Sequence, residues 1–454
     1  MIKKLVAVLG VLLILVQFVT AQKQSSTKSN PEIKKMLAEV SAKNVETTIR
    51  KLVSFGTRNT LSEQDNRERG IGAALDYLFG EFQKISQDCG GCLTVEKQIF
   101  TQPKAARVPE PTILTNVVAT LKGNQAESAD RFYVVSGHYD SMCTSPTDAK
   151  CDAPGANDDA SGVSAVLEMA RVMSKRNFDA SIIFMAVAGE EQGLLGATYN
   201  AEQAKQKSMN VEAMFTNDII GGVTSYKNSP ERQSVRVFAE GVPSNETEAE
   251  ANLRRSVGGE NDSPSRQIAR FIKEQSEIYS PRFRVNVIYR RDRYLRGGDH
   301  IPFLERGFPA IRFTEPNEDY THQHQNVRTE NGVQYGDLPE FVDYGYVANV
   351  ARINLAALAG LALAPAKPLS VGIITTKLTN DTELKWDANK EPDLAGYEIV
   401  WRDTTQAAWT NSKFVGNVMT YTMSGMSKDN YFFGVRAVDK AGNKSPVVFP
   451  KPVR

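Results

Sequence analysis

What most constrains this chain is a set of apolar runs that each end in a short polar loop and are spaced by stretches of helical periodicity. TNVVATLKG (115–123), RFYVVSGHY (131–139), SIIFMAVAG (181–189), SVRVFAEG (234–241), FRVNVIY (283–289) and FPAIRFTE (308–315) read as strands. SIIFMAVA is apolar at successive rather than alternate positions, so both faces of that strand must be covered. Between the runs lie helix-like segments such as SGVSAVLEMARVMSK, PSRQIARFIKEQSEI and EFVDYGYVANVARINLAALAGLALA. Earlier, 31–55 and 64–85 carry helical apolar spacing, as in Ile71, Leu75, Leu78 and Phe82. This alternation predicts an α/β fold: a three-layer sandwich whose central, mostly parallel mixed sheet is flanked by helices.

The pattern changes after Ala364. APAKPLS is a proline-containing linker, and beyond it short alternating strands follow: ELKWD, AGYEIVWRD, TYTMSG and NYFFGVRAVDKAGNKS. The early Trp, the GYEIVWR strand and the late YFFGVRAVDKAG resemble a fibronectin type III domain, which implies a C-terminal all-β, immunoglobulin-like sandwich over 365–454. At the other end, Lys3 and Lys4 precede a 15-residue apolar core over 5–19 and the small-residue site Val19-Thr20-Ala21. That is the pattern of a signal peptide over 1–21, too short for a spanning helix. The expected domains are therefore 1–21, 22–364 and 365–454. The expected location is secreted or periplasmic, without stable membrane insertion once the leader is removed. A net charge of +1 gives no basic excess for nucleic acid. An exported chain permits disulfides, and the local pairs Cys89–Cys92 and Cys143–Cys151 are the simplest of three connectivities.

The chain holds four histidines, His138, His300, His322 and His324, each in a segment that also carries acids. In GHYDS, His138 ends a strand, and Asp140 could accept its second ring N–H. In GANDDASG, Asp158 and Asp159 precede a helix that needs one capping Asp, which leaves the other free to ligate. In AGEEQG, Glu190 and Glu191 point in opposite directions on an extended chain, so one could meet a metal and the other a water. Asp218 in TNDIIGG lies against an apolar pair, where a buried carboxylate must be paired or coordinated. The segment from Asp299 and His300 to His322 and His324 completes the set. Two His with several carboxylates and no thiolate suit two zinc ions sharing a bridging carboxylate. No nucleophile elbow or phosphate-binding loop is present.

The ordered motifs H-x-D-S, G-A-N-D-D-A-S-G, G-E-E-x-G-L-L-G, D-I-I-G and D-H-x-P-F resemble the secreted co-catalytic zinc aminopeptidases of the bacterial leucyl aminopeptidase type. Glutamate carboxypeptidase-like enzymes and single-zinc glutaminyl cyclases belong to the same wider group. The resemblance covers roughly 44–364. It implies that His138 and Asp218 bind one zinc, that Glu191 and a late histidine bind the other, and that Asp158 bridges them. Glu190 would be the general base, taking a proton from the attacking water and passing it to the leaving amine. Asp140 and Asp159 would support the ligands, and the 158–159 peptide bond would be cis. His322 has Asn326 four residues on, near the family's spacing, and is the expected ligand; His324 is the alternative. Tyr320, His300 and His324 are candidate substrate or oxyanion contacts. The expected activity is release of N-terminal residues from a peptide substrate. Carboxypeptidase or cyclase chemistry is the alternative, and a non-catalytic binding protein the remoter one. The stretch 266–296, with nine Lys or Arg against three acids, could offer an Arg to a substrate carboxylate. The C-terminal domain could bind a surface or polymer.

Overall fold

The computed structural model describes residues 29–224 and 229–454, so the leader expected over 1–21 lies outside the described residues. Among the described residues, no helix is long and apolar enough to cross a membrane. In chain order the first elements are α1 (Pro31–Glu39), α2 (Ala42–Val53), α3 (Ile71–Asp88), β1 (Leu93–Gln102), β2 (Thr112–Leu121), β3 (Arg131–His138), α4 (Ala160–Met173), β4 (Ser181–Val187), α5 (Leu195–Gln206) and β5 (Asn210–Asn217). There follow β6 (Ser234–Phe238), α6 (Glu248–Val257), α7 (Pro264–Tyr279), β7 (Arg284–Ile288), α8 (His300–Glu305), β8 (Ala310–Thr314), the short pair β9 (Arg328–Glu330) and β10 (Val333–Tyr335), and α9 (Tyr344–Ala362).

Eight strands form one sheet in the order β1-β2-β4-β3-β5-β8-β6-β7. The four central strands β4, β3, β5 and β8 run parallel. Antiparallel pairings bring in β2 and β1 on one side and β6 on the other, so the sheet is mixed, with a parallel centre. Strand β4 explains the successive apolar residues of SIIFMAVA. Ile182, Phe184 and Ala186 face one core with α4 and α9; Ile183, Met185 and Val187 face the other with α5 and α8. Each face of a buried strand packs its own layer. Phe184→Ala would cost about 3–5 kcal/mol through the cavity it leaves.

Helix α4 crosses β3 at unusually short range. A Cβ on Gly162 would lie 2.2 Å from the Asn217 carbonyl oxygen, and one on Gly137 would lie 2.6 Å from the Gly162 carbonyl carbon. Only glycine permits that approach, and it brings the start of α4 against the ends of β3 and β5.

Beyond α9 come β11 (Gly372–Ile374), β12 (Thr382–Lys385), β13 (Leu394–Asp403), β14 (Asn411–Gly416), β15 (Thr420–Met423), β16 (Tyr431–Asp439) and β17 (Lys451–Val453). They make a four-stranded sheet, β15-β12-β11-β17, and a three-stranded one, β14-β13-β16. Leu384, Tyr397, Ile399, Met423, Phe433 and Val435, drawn from both sheets, share one apolar cluster with Trp386.

Candidate functional site

The C-terminal ends of the four parallel strands converge on one cradle, as open α/β sheets place their sites. His138 ends β3, Glu190 and Glu191 follow β4, Asp218 follows β5, and the loop after β8 carries His322 and His324. Asp158 lies in the turn before α4, joined to Asp159 by a cis peptide bond.

Asp159 caps α4 and does more. Its carboxylate accepts from Gly162 N at 3.0 Å, from His138 N at 3.0 Å and from Ile219 N at 3.3 Å. One buried side chain thus ties the helix start to the ends of two strands. Asp337 accepts the backbone N–H groups of Asn157 and Asp158 at 2.9 and 2.7 Å, fixing the turn from the other side. Arg58, fully buried, donates to the carbonyl groups of Tyr139 and Gly155 at 2.7 and 2.8 Å and so holds both loop ends. Asp140 differs from expectation in detail. Its backbone carbonyl lies 3.2 Å from His138 Nδ1, nearer than its carboxylate at 3.6 Å. The carboxylate accepts the N–H groups of Glu190 and Glu191 at 3.2 and 3.1 Å and thereby orients the Glu-Glu turn.

Two groups of donors share Asp158: His138, Asp158 and Asp218 on one side, and Asp158, Glu191 and His324 on the other. His138 Nε2 lies 3.1 Å from one Asp158 oxygen; His324 Nε2 lies 2.9 Å from the other and 3.2 Å from Glu191 Oε1. His138 Nε2 and Glu191 Oε1 are nevertheless buried without a well-directed hydrogen bond. Burial drives the Glu190 and Glu191 carboxyls up, to which neighbouring acids add. Burial also works against charge on the two imidazoles, yet the adjoining carboxylates hold His138 well above its ordinary value and push His324 up to about 11. A divalent cation at these positions would offset the same crowded carboxylates. Neutral imidazole and carboxylate donors without thiolate suit zinc.

The structure corrects the expected histidine. His322 is stacked on Phe341, with ring centroids 3.7 Å apart, and does not join either donor group. Asp319 accepts from Thr321 N at 2.9 Å, and the backbone N–H groups of His322 and Gln323 bond to its carbonyl. That tight turn delivers His324, at φ 56°, into the cradle. Asn326, whose spacing favoured His322, instead accepts from Thr144 N at 3.2 Å. Tyr320 is 65% exposed and stands under the Arg296 guanidinium rather than over the cradle. His300 is buried behind the site, its Nε2 2.9 Å from the Arg291 carbonyl, and burial pushes it down to about 4.

Two neighbours escaped sequence reasoning. Gln323 Nε2 donates to Asp158 at 2.9 Å, and fully buried Arg312 places Nη2 2.9 Å from Asp218 Oδ1. An arginine in the middle of the apolar run FPAIRFTE was a readable sign of a buried partner. Both disulfides are formed as the simplest pairing expected, Cys89–Cys92 and Cys143–Cys151.

Residues 116–341 match the profile described as Peptidase family M28. A probable zinc metalloprotease of Leptosphaeria maculans is 50% identical over 421 residues, covering 93% of this chain and 97% of its own. Among solved structures, the LapA aminopeptidase of Legionella pneumophila superposes with a TM-score of 0.52 at 17% identity, over 76% of this chain and 78% of that one. A glutaminyl cyclase of Macrostomum lignano gives 0.51 at 14% identity, over 73% and 92%. At such identities the two structures speak to fold alone.

Proposed function

The chain belongs to peptidase family M28 as a zinc metalloprotease, and from that premise we propose that it is an exopeptidase releasing N-terminal residues from peptides. The carrying observation is the pair of donor groups joined through Asp158, with Glu190 beside them. His138, Asp158 and Asp218 would hold one zinc ion, and Asp158, Glu191 and His324 the other. Zinc bound there polarises the scissile carbonyl and makes water a nucleophile near neutral pH. Glu190, its backbone held by Asp140, takes the proton from the attacking water and hands it to the departing amine. A small cavity beside Asp158 is lined by Glu315, Asp319 and Asp337.

Hydrolysis of Leu-Ala against N-acetyl-Leu-Ala, before and after chelation, tests this reading. Equal cleavage of the acetylated peptide would refute it. Glu190→Gln is expected to lower kcat by about 10³-fold while the protein retains its zinc.

One observation favours a second reading. Arg312 competes for the Asp218 oxygen, which weakens the His138 side and suits a single-zinc, cyclase-type enzyme. One zinc per chain, with cyclisation of N-terminal glutamine in place of hydrolysis, would select it.

We read 22–364 as the peptidase unit and 365–454 as a fibronectin type III-like unit, supported by two small sheets with a common core. The two disulfides support a location outside the reducing cytosol.

A further inference from the structure

Beside the cradle, four guanidinium groups and three carboxylates form one connected cluster. Arg312 pairs with Asp218 at 2.9 Å and Asp292 at 3.4 Å; Arg293 pairs with Asp292 at 3.0 Å and Glu318 at 2.9 Å. Arg236 and Arg296 each reach Glu318 at 2.8 Å. Four positive charges against three negative leave a surplus of +1, and engagement of Asp218 by a cation would enlarge it.

Two of the four guanidinium groups reach solvent. Arg312 is fully buried and the Arg293 side chain nearly so, whereas the Arg296 side chain is 31% exposed. Arg236, the other member that reaches solvent, also donates to the Glu315 carbonyl at 2.8 Å and lies against the Phe238 ring. Arg296 gives Nη1 to Glu318 and stands over the exposed ring of Tyr320. Two residues on, a Cβ at Gly298 would lie 3.3 Å from Asp218 Oδ2. Its partner Glu318 lines the cavity that also holds Asp158. Arg296 is therefore at the mouth of the site. The nearby acid Asp319 accepts from Thr321 Oγ1 at 2.6 Å and forms no ion pair with Arg296 among the described residues.

We propose that Arg296 is a specificity residue that binds a substrate carboxylate on the leaving-group side of the scissile bond, selecting short or acidic peptides. This deepens the N-terminal exopeptidase reading and rests on it. The ligand is a carboxylate, either the C-terminal one of a dipeptide or the side chain of a following Asp or Glu. Glu318 fixes one edge of the guanidinium plane, so little side-chain freedom is left to lose when the carboxylate docks.

The test uses the zinc-loaded full chain and its Arg296→Gln and Arg296→Lys variants, with Leu-Ala, Leu-Ala amide and Leu-Glu amide as substrates. Arg296→Gln is expected to lower kcat/KM about 10- to 100-fold for the carboxylate-bearing substrate and about twofold or less for Leu-Ala amide. Arg296→Lys should recover part of the loss. Loss on Leu-Ala identifies the C-terminal carboxylate as the ligand, and loss on Leu-Glu amide the side chain. An equal fall on all three substrates, or no fall on any, overturns the proposal. If the wild-type protein cleaves N-acetyl-Leu-Ala but none of the free-amine substrates, the N-terminal reading fails separately. Arg296→Gln assayed on N-acetyl-Leu-Ala against its amide then decides the carboxylate role: lost discrimination upholds it, and unchanged discrimination overturns it.

Discussion

His324 enters the cradle from a left-handed backbone position, while His322, two residues earlier, lies flat on Phe341. Replacing each by alanine separates ligation from packing. His324→Ala is expected to lose zinc from the Glu191 side, with affinity reduced at least about 100-fold, a larger effect than that of outer partners. His322→Ala should retain both metal content and most activity, as measured by metal analysis and kcat/KM on one substrate. Of the four other ligands proposed here, His138 and Glu191 were legible because each follows an apolar run, Asp158 because a helix start needs one capping acid and two are present, and Asp218 because a carboxylate beside the apolar pair Ile219-Ile220 needs a partner. The fifth was not, because the Asp319 turn and the Thr144–Asn326 bond are tertiary facts that spacing does not encode. Glu318 makes a second residue-level prediction. Burial opposes its ionisation, but Arg293, Arg312 and Arg296 push it down to about 2 from 4.5. A depressed carboxylate stabilises the fold above its unfolded value, and that contribution disappears as pH falls from about 4.5 towards 2. Glu318→Gln should cost roughly 3 kcal/mol at pH 7 and flatten the acid limb of stability between those pH values, read by urea denaturation.

At the level of elements, the start of α4 concentrates what the cradle needs. Asp159 is at once helix cap and tether of His138 and Ile219, so a cap substitution there acts on two strand ends. Asp159→Ala is expected to cost about 2–4 kcal/mol, more than a surface cap, because buried N–H groups lose their acceptor. Thermal melts with and without chelator check this: the deficit should persist in chelator, which separates loss of fold from loss of metal. The strands of the parallel centre were mostly readable from continuous apolar runs. Strand β1 was not, because its side chains alternate between half-buried and exposed positions at a sheet edge. Strand β5 escaped because Glu212 and Asn217 interrupt its apolar run, though both are buried in the fold. The expected helix over 31–55 is two helices, divided where Ser41 caps the second.

For the whole molecule, the C-terminal sheets are anchored on α7 by buried charge. Arg402 reaches Asp262 at 2.5 Å, and Arg270 pairs with the same carboxylate at 2.9 Å. Trp409 Nε1 donates to Gln267 at 2.9 Å, and Arg436 bridges Glu274 and Glu398 at 2.8 and 2.6 Å. The strand pattern made the C-terminal sheets legible, but nothing in 365–454 taken alone announces that its arginines answer acids more than a hundred residues earlier. Such an interface implies that the two units unfold together. Arg402→Ala would leave Asp262 buried with one partner fewer, at a cost of about 3–5 kcal/mol. A chain ending at residue 364 would expose Asp262, Glu274 and the apolar parts of α7 that now face Trp409. The full chain is therefore expected to melt in one calorimetric transition, Arg402→Ala to lower its midpoint, and the shortened chain to aggregate or melt well below both. Two separate transitions in the full chain, or a shortened chain with unchanged Tm and kcat/KM, would instead make the C-terminal sheets an independent appendage.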